Sequence, residues 1–222
     1  MTEQSTTLSI KRIIITVCYF LIVPIVTPLL NMIINNELVS YTFAVNLSGL
    51  LILIQNWDLL ALHAKRLKED VKEAIFFFIV GIILITGLFY LNSLYLHAFV
   101  PIINVEQAQH FSLFNGIFFL AHSFVFALIY VVTFKCVTDR LKLKHAEIVV
   151  ILLSGFLFAL IFTITYIPFD LIAWLKGYLF YFVITLVISY LYNQTRSFLP
   201  GMIGLAVALF VINLLTYLHI LL

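Results

Sequence analysis

Charged residues are scarce in this sequence: Asp, Glu, Lys and Arg make up 10% of its 222 residues, whereas a soluble domain carries about a quarter. Hydrophobic residues make up 64% and the mean hydropathy is +1.18, so no water-soluble fold could hide the apolar surface. Cysteine is nearly absent, and Cys18 and Cys136 form neither a metal-ligand spacing nor a disulfide framework. The formal charge of +2 is too small, and its basic residues too clustered beside apolar runs, to suggest a nucleic-acid partner. No P-loop, Gly-x-Ser-x-Gly elbow, Rossmann fingerprint or metal motif occurs. No internal repeat is visible, which weakens a transporter built from duplicated halves. No cofactor or metal is expected.

What the sequence does have is long apolar runs. They lack the two-residue alternation of barrel strands, so backbone in the bilayer must satisfy its own hydrogen bonds as helix. A hydrocarbon core of about 30 Å needs about 20 helical residues, and suitable runs fall near 13–34, 41–62, 74–98, 111–134, 147–166, 172–192 and 202–222. The expectation is an all-α integral membrane protein: a polytopic bundle of about seven transmembrane helices, residues 13–222, behind a short tail at 1–12. The fifth and sixth runs could instead form a re-entrant pair, because the turn "YIPFD" at 166–170 is very short and Lys176 lies inside the sixth. Lys11 and Arg12 precede the first apolar run as in a signal peptide. That run spans about 22 residues without a small-x-small cleavage site, so it is expected to remain as an anchor.

Lys and Arg in short loops are retained in the cytoplasm. A cytoplasmic N-terminus puts Lys11, Arg12, Lys65, Arg66, Lys68, Lys72, Lys135, Arg140, Lys142, Lys144 and Arg196 inside and leaves only Lys176 outside. The outer loops, such as "PIINVEQAQH" at 101–110, are short, so function is expected within the membrane itself.

Polar groups inside spans are the candidate site. Asp58, with Ser48 and Gln55 on about the same helix face, reads either as an interfacial carboxylate paired with His63 or Lys65 or as part of a functional polar face. His122 lies at the midpoint of the fourth run, and Asn115 and Thr133 return to nearly the same face. With Asn213 in the last run, these residues read either as interhelical glue or as a ligand contact. Gly201, Gly204 and Ala208 are spaced by three and four and form a candidate helix-packing seam, since small residues let membrane helices approach closely.

From about residue 120 to 215 the order of features resembles the CPBP family, the CAAX-protease and bacteriocin-processing membrane proteins also called Abi. The stretch "YFVITLVISYLYNQTRSFLPGMIG" at 181–204 is similar to the family's apolar helix, Tyr-containing turn, "T-x-S" and "L-P". "SGFLFALIF" at 154–162 is similar to the helix that carries its second motif. Active members use Glu-Glu-x-x-x-Arg, then Phe-x-x-x-His, then His-x-x-x-Asn. Here Tyr130 and Val131 stand where the glutamates belong, Lys135 where the arginine belongs, and Phe162 follows Phe158 in place of the second-motif histidine. Counting from Pro200, the last histidine falls near Leu205 and its partner near Leu209, with Asn213 one helical turn too late. The resemblance therefore implies the fold without the chemistry. It suggests a pseudoprotease in a bacterial cytoplasmic membrane that serves as a scaffold, regulator or immunity factor by binding a membrane or cell-envelope protein. A small-molecule carrier lined by His122, Asn115 and Asn213 is the first alternative, and an intramembrane protease with an unusual site the second.

Overall fold

The computed structural model describes residues 9–100, 113–141, 147–166 and 170–218, without the side chains of 113–115, 139–141 and 147–148. Among the described residues there are helices and no strand, and seven of the helical segments are long and apolar enough to cross a membrane. The chain is a multi-pass all-α membrane protein.

The first span is two helices, α1 (Ile10–Phe20) and α2 (Ile22–Ile34), joined at Leu21. Its break has a chemical cause. Pro24 has no N–H for the carbonyl four residues earlier, that of Phe20, and in lipid an abandoned carbonyl is costly. Tyr166 donates its hydroxyl to the Phe20 carbonyl at 3.2 Å, and Ser48 donates to the neighbouring Tyr19 carbonyl at 2.7 Å. Two other spans thus repair the backbone that proline opens.

The second span is shorter than its sequence predicts. Rather than running to 62, α3 (Glu37–Gln55) stops at Asn56, where α4 (Trp57–Glu69) begins. The buried Asn56 amide donates to the carbonyl of Ile52 and to the Thr16 hydroxyl, and its oxygen accepts from Arg12 Nε at 3.0 Å. That side chain ties the break to α1. Beyond it α4 carries Lys65, Arg66 and Lys68, the composition of a helix at the membrane surface rather than within it.

Next comes α5 (Val71–Leu91), capped by Asp70 and continued by a π-helical turn at Asn92–Leu96. Asn92 closes that end by exchanging two hydrogen bonds with the backbone of Ala98. The remaining spans are α6 (Leu113–Leu141), α7 (Glu147–Tyr166), α8 (Leu171–Thr195) and α9 (Leu199–Tyr217). At 20 and 25 residues, α7 and α8 are about 30 and 37 Å long, the length of full crossings rather than of re-entrant half-helices. The loop at 101–110, the basic loop with Lys142 and Lys144, and the Arg140 side chain lie outside the described residues.

The spans pack around α6, of which 61% of the apolar window is buried against 17% for the first span. α6 touches α1, α3, α7 and α9, while α5 packs along α9 and α7 along α8. At one end of the bundle α4 meets the α8–α9 turn: Ser197 donates to the His63 carbonyl at 3.3 Å and Arg66 to the Arg196 carbonyl at 3.0 Å. These contacts gather Arg12, α4 and Arg196 at one basic end, the end expected to face the cytoplasm.

Gly201, Gly204 and Ala208 are all buried. A methyl group on Gly204 would sit 2.9 Å from the carbonyl of Gly81 on α5, and one on Gly201 would sit 3.1 Å from Ile188 on α8. The glycines thus set how closely α9 approaches two neighbours. Gly87 is the natural control, because a Cβ there would meet nothing within 4 Å. Gly204→Leu should lower unfolding stability in detergent by about 2–3 kcal/mol through overpacking, whereas Gly87→Leu should change it by less than about 0.5 kcal/mol. Equal stabilities for the two variants would remove the α5–α9 approach from the account.

Candidate membrane-interior site

Tyr130, Val131, Phe158, Phe162, Leu205 and Leu209 are all buried in one apolar core. Phe162 is fully buried, and five rings surround it within the described residues: Phe20, Phe126, Tyr130, Tyr166 and Tyr181. Tyr130 packs edge-on to Phe162 at 5.3 Å and to Phe158 at 4.8 Å. Val131, Leu205 and Leu209 are buried in the same apolar core. Edge-to-face and offset rings at such separations are favourable beyond their buried area. The aromatic pattern is therefore a packed plug.

About two turns before Tyr130 on α6 lies His122, 3% exposed. Its ring faces Tyr41 from α3 at 5.5 Å and Phe126 at 6.4 Å. Among the described residues neither imidazole nitrogen has a hydrogen-bond partner, and the same holds for the buried hydroxyls of Tyr41, Ser123, Tyr130 and Thr133. No hydrogen bond from His122 to another span is among the described ones. Asn213, buried on α9, turns its amide back to the Leu209 carbonyl of its own helix at 2.8 Å. Asn115 begins α6, and its side chain lies outside the described residues. A buried polar group without a partner costs about 1–3 kcal/mol, and this part of the bundle concentrates several. Tyr41 was hidden in the sequence as one tyrosine among eleven. Only the packing of α3 on α6 singles it out.

Asp58 belongs elsewhere. It opens α4 at the basic end and pairs with Arg12, not with His63 or Lys65. Arg12 Nη1 donates to Asp58 Oδ2 at 2.7 Å and Nη2 binds the second oxygen, a bidentate fork. On its own helix, Lys65 lies two turns along the same face, about 10 Å away, and His63 lies on another face, where it packs on Phe198 at 4.3 Å. The hydrogen bond from Arg12 holds the Asp58 carboxyl below the usual carboxylate range. With the carboxylate side chain 71% exposed, this pair and the Gln55 amide on the Arg12 carbonyl pin α1 to the α3–α4 break. The arrangement is structural.

Two imidazole nitrogens buried without partners make a specific expectation. His122→Leu, of similar volume, should leave thermal stability unchanged or raise it by about 1–2 kcal/mol, because it removes groups that folding desolvates without repayment. A loss of 1 kcal/mol or more (about that of an interhelical hydrogen bond) would show that the imidazole is hydrogen-bonded in the membrane. Neither a protein-family model, nor a curated protein, nor a solved structure matches this chain.

Proposed function

We propose that this chain is a non-catalytic CPBP-like membrane protein that acts as a scaffold, regulator or immunity factor, binding a membrane or cell-envelope protein in the cytoplasmic membrane of a bacterium. The ring packing around Phe162 carries the reading. Hydrolysis needs an acid and a base within hydrogen-bond reach of a water, or a metal with several ligands. The positions where the family's resemblance would put those groups hold Tyr130, Val131, Phe162, Leu205 and Leu209, each buried among apolar neighbours. What the resemblance then leaves is a helical bundle whose lipid-facing sides and short loops can hold a partner.

A second reading, a small-molecule carrier, draws on the partnerless polar atoms of His122, Tyr41 and Ser123. A guest that hydrogen-bonds there would recover their desolvation cost. The two readings separate by experiment. Purified full-length protein should cleave neither prenylated nor leader-peptide substrates between pH 5 and 9, with or without zinc, and should co-purify from native membranes with a protein in fixed stoichiometry. Cleavage that disappears when one of the chain's own residues is changed would sink the proposal. So would vesicle uptake that fails in His122→Gln, which would promote the carrier.

A further inference from the structure

One carboxamide of this bundle faces outward at mid-depth. Asn46 lies nine residues from either end of α3 and is exposed. Near the middle of the other spans, no exposed residue among those described carries an amide or a charge. The Asn46 amide nitrogen donates to the Thr42 carbonyl at 2.8 Å, one turn back on the same helix. That bond uses one of its two N–H groups. The second N–H and the carboxamide oxygen look into hydrocarbon, which offers a partner to neither. Between Val39 and Ile54 the exposed residues of α3 are Val39, Phe43, Asn46, Leu50 and Ile54, and no others. Each of the four apolar ones is about half exposed or more. Their intervals of four and three residues keep them in one stripe, the spacing of a seam between two helices wound left-handed around each other. The other faces of α3 are covered by α1, α2 and α6.

We infer that this face of α3 packs against the same face of a second copy of the chain, with the two Asn46 carboxamides hydrogen-bonded to one another at the middle of the bilayer. Copies of one chain insert with the same orientation. An isologous pair therefore has its two-fold axis along the membrane normal, and each residue meets its counterpart at its own depth. Asparagine suits such an axis because a carboxamide is both donor and acceptor. Each Nδ2 gives its second N–H to the oxygen of the other copy, and both groups are satisfied. A carboxylate or an ammonium at the same place would repel its copy. Phe43 and Leu50, one turn to either side of Asn46, supply the apolar contact. A single asparagine in an apolar seam also fixes the register, because sliding one helix along the other leaves both amides in hydrocarbon. Such pairing stands apart from the binding of another protein, since it needs only this chain.

The test is energy transfer between donor-labelled and acceptor-labelled copies of the purified full-length protein in phosphatidylcholine vesicles, where no other protein is available. Dyes are attached at Glu69→Cys, an exposed position, in a Cys18→Ser, Cys136→Ser background. Transfer should rise with the protein-to-lipid ratio and saturate. Asn46→Leu should move the midpoint to an about tenfold higher ratio, the effect of losing two interhelical hydrogen bonds in lipid. Asn46→Gln keeps an amide and should stay near the parent, as should Ile79→Leu on the exposed face of α5. A membrane-permeant oxidant should cross-link Leu50→Cys into dimers and leave Ile79→Cys monomeric. Because Asn46 faces outward, its leucine variant should fold, and the cross-linking decides alone if it does not. Transfer no higher than chance proximity gives overturns the inference. So does a midpoint unmoved by Asn46→Leu, or equal cross-linking at positions 50 and 79, either of which would put self-association on another face.

Discussion

Burial of α6 among α1, α3, α7 and α9 constrains where the other spans can go, since lipid supplies no hydrogen-bond partner for any polar group those contacts leave over. The helix pays for its central place with small and aromatic side chains on several faces: Ala127 is fully buried, and Phe119, Phe126 and Tyr130 reach α9 and α7 through ring contacts. Around it the bundle is closed by backbone repairs as much as by packing. Tyr166 and Ser48 capture the carbonyls at the proline break, Tyr181 donates to the Phe99 carbonyl at 3.0 Å, and Ser197 holds α4. In water such bonds would be nearly interchangeable with solvent. In a bilayer they decide which spans are neighbours.

The same constraint suits the aromatic centre of the bundle. A titratable pair at the centre of a bundle must be hydrogen-bonded and solvated to stay useful, whereas rings need only one another. With five ring neighbours for Phe162 among the described residues, the centre contributes stability and shape. At the basic end, Lys135 and Ser189 border a cleft.

The spans were legible in the sequence because their composition leaves no alternative: runs of about 20 apolar residues have one solution in lipid. The break at Asn56 was not, since hydropathy does not register a single amide that bonds Ile52, Thr16 and Arg12 at once. Nor could sequence choose the Asp58 partner: residues near it in the chain were favoured, while Arg12 arrives 46 positions away through the α1–α3 contact. The glycine spacing in α9 was visible, but Gly81, which makes Gly204 necessary, sits in a run with no repeat to advertise it. For His122, depth could be read from the run that holds it. Its neighbours could not, because Tyr41 comes from a span whose rotation only packing fixes.

The claim on which the functional reading rests is that the centre of the bundle is dry. Thiol labelling in native membranes tests it directly, with Phe162→Cys and His122→Cys each placed in a Cys18→Ser, Cys136→Ser background and Glu69→Cys as the exposed reference. Thiol reagents react with the thiolate and need water to reach it. The account predicts rapid labelling at position 69 and none at 162 or 122 from either side of the membrane. Labelling of Phe162→Cys at a rate close to that of the reference would mean water reaches the motif positions, and would contradict a sealed, non-catalytic core.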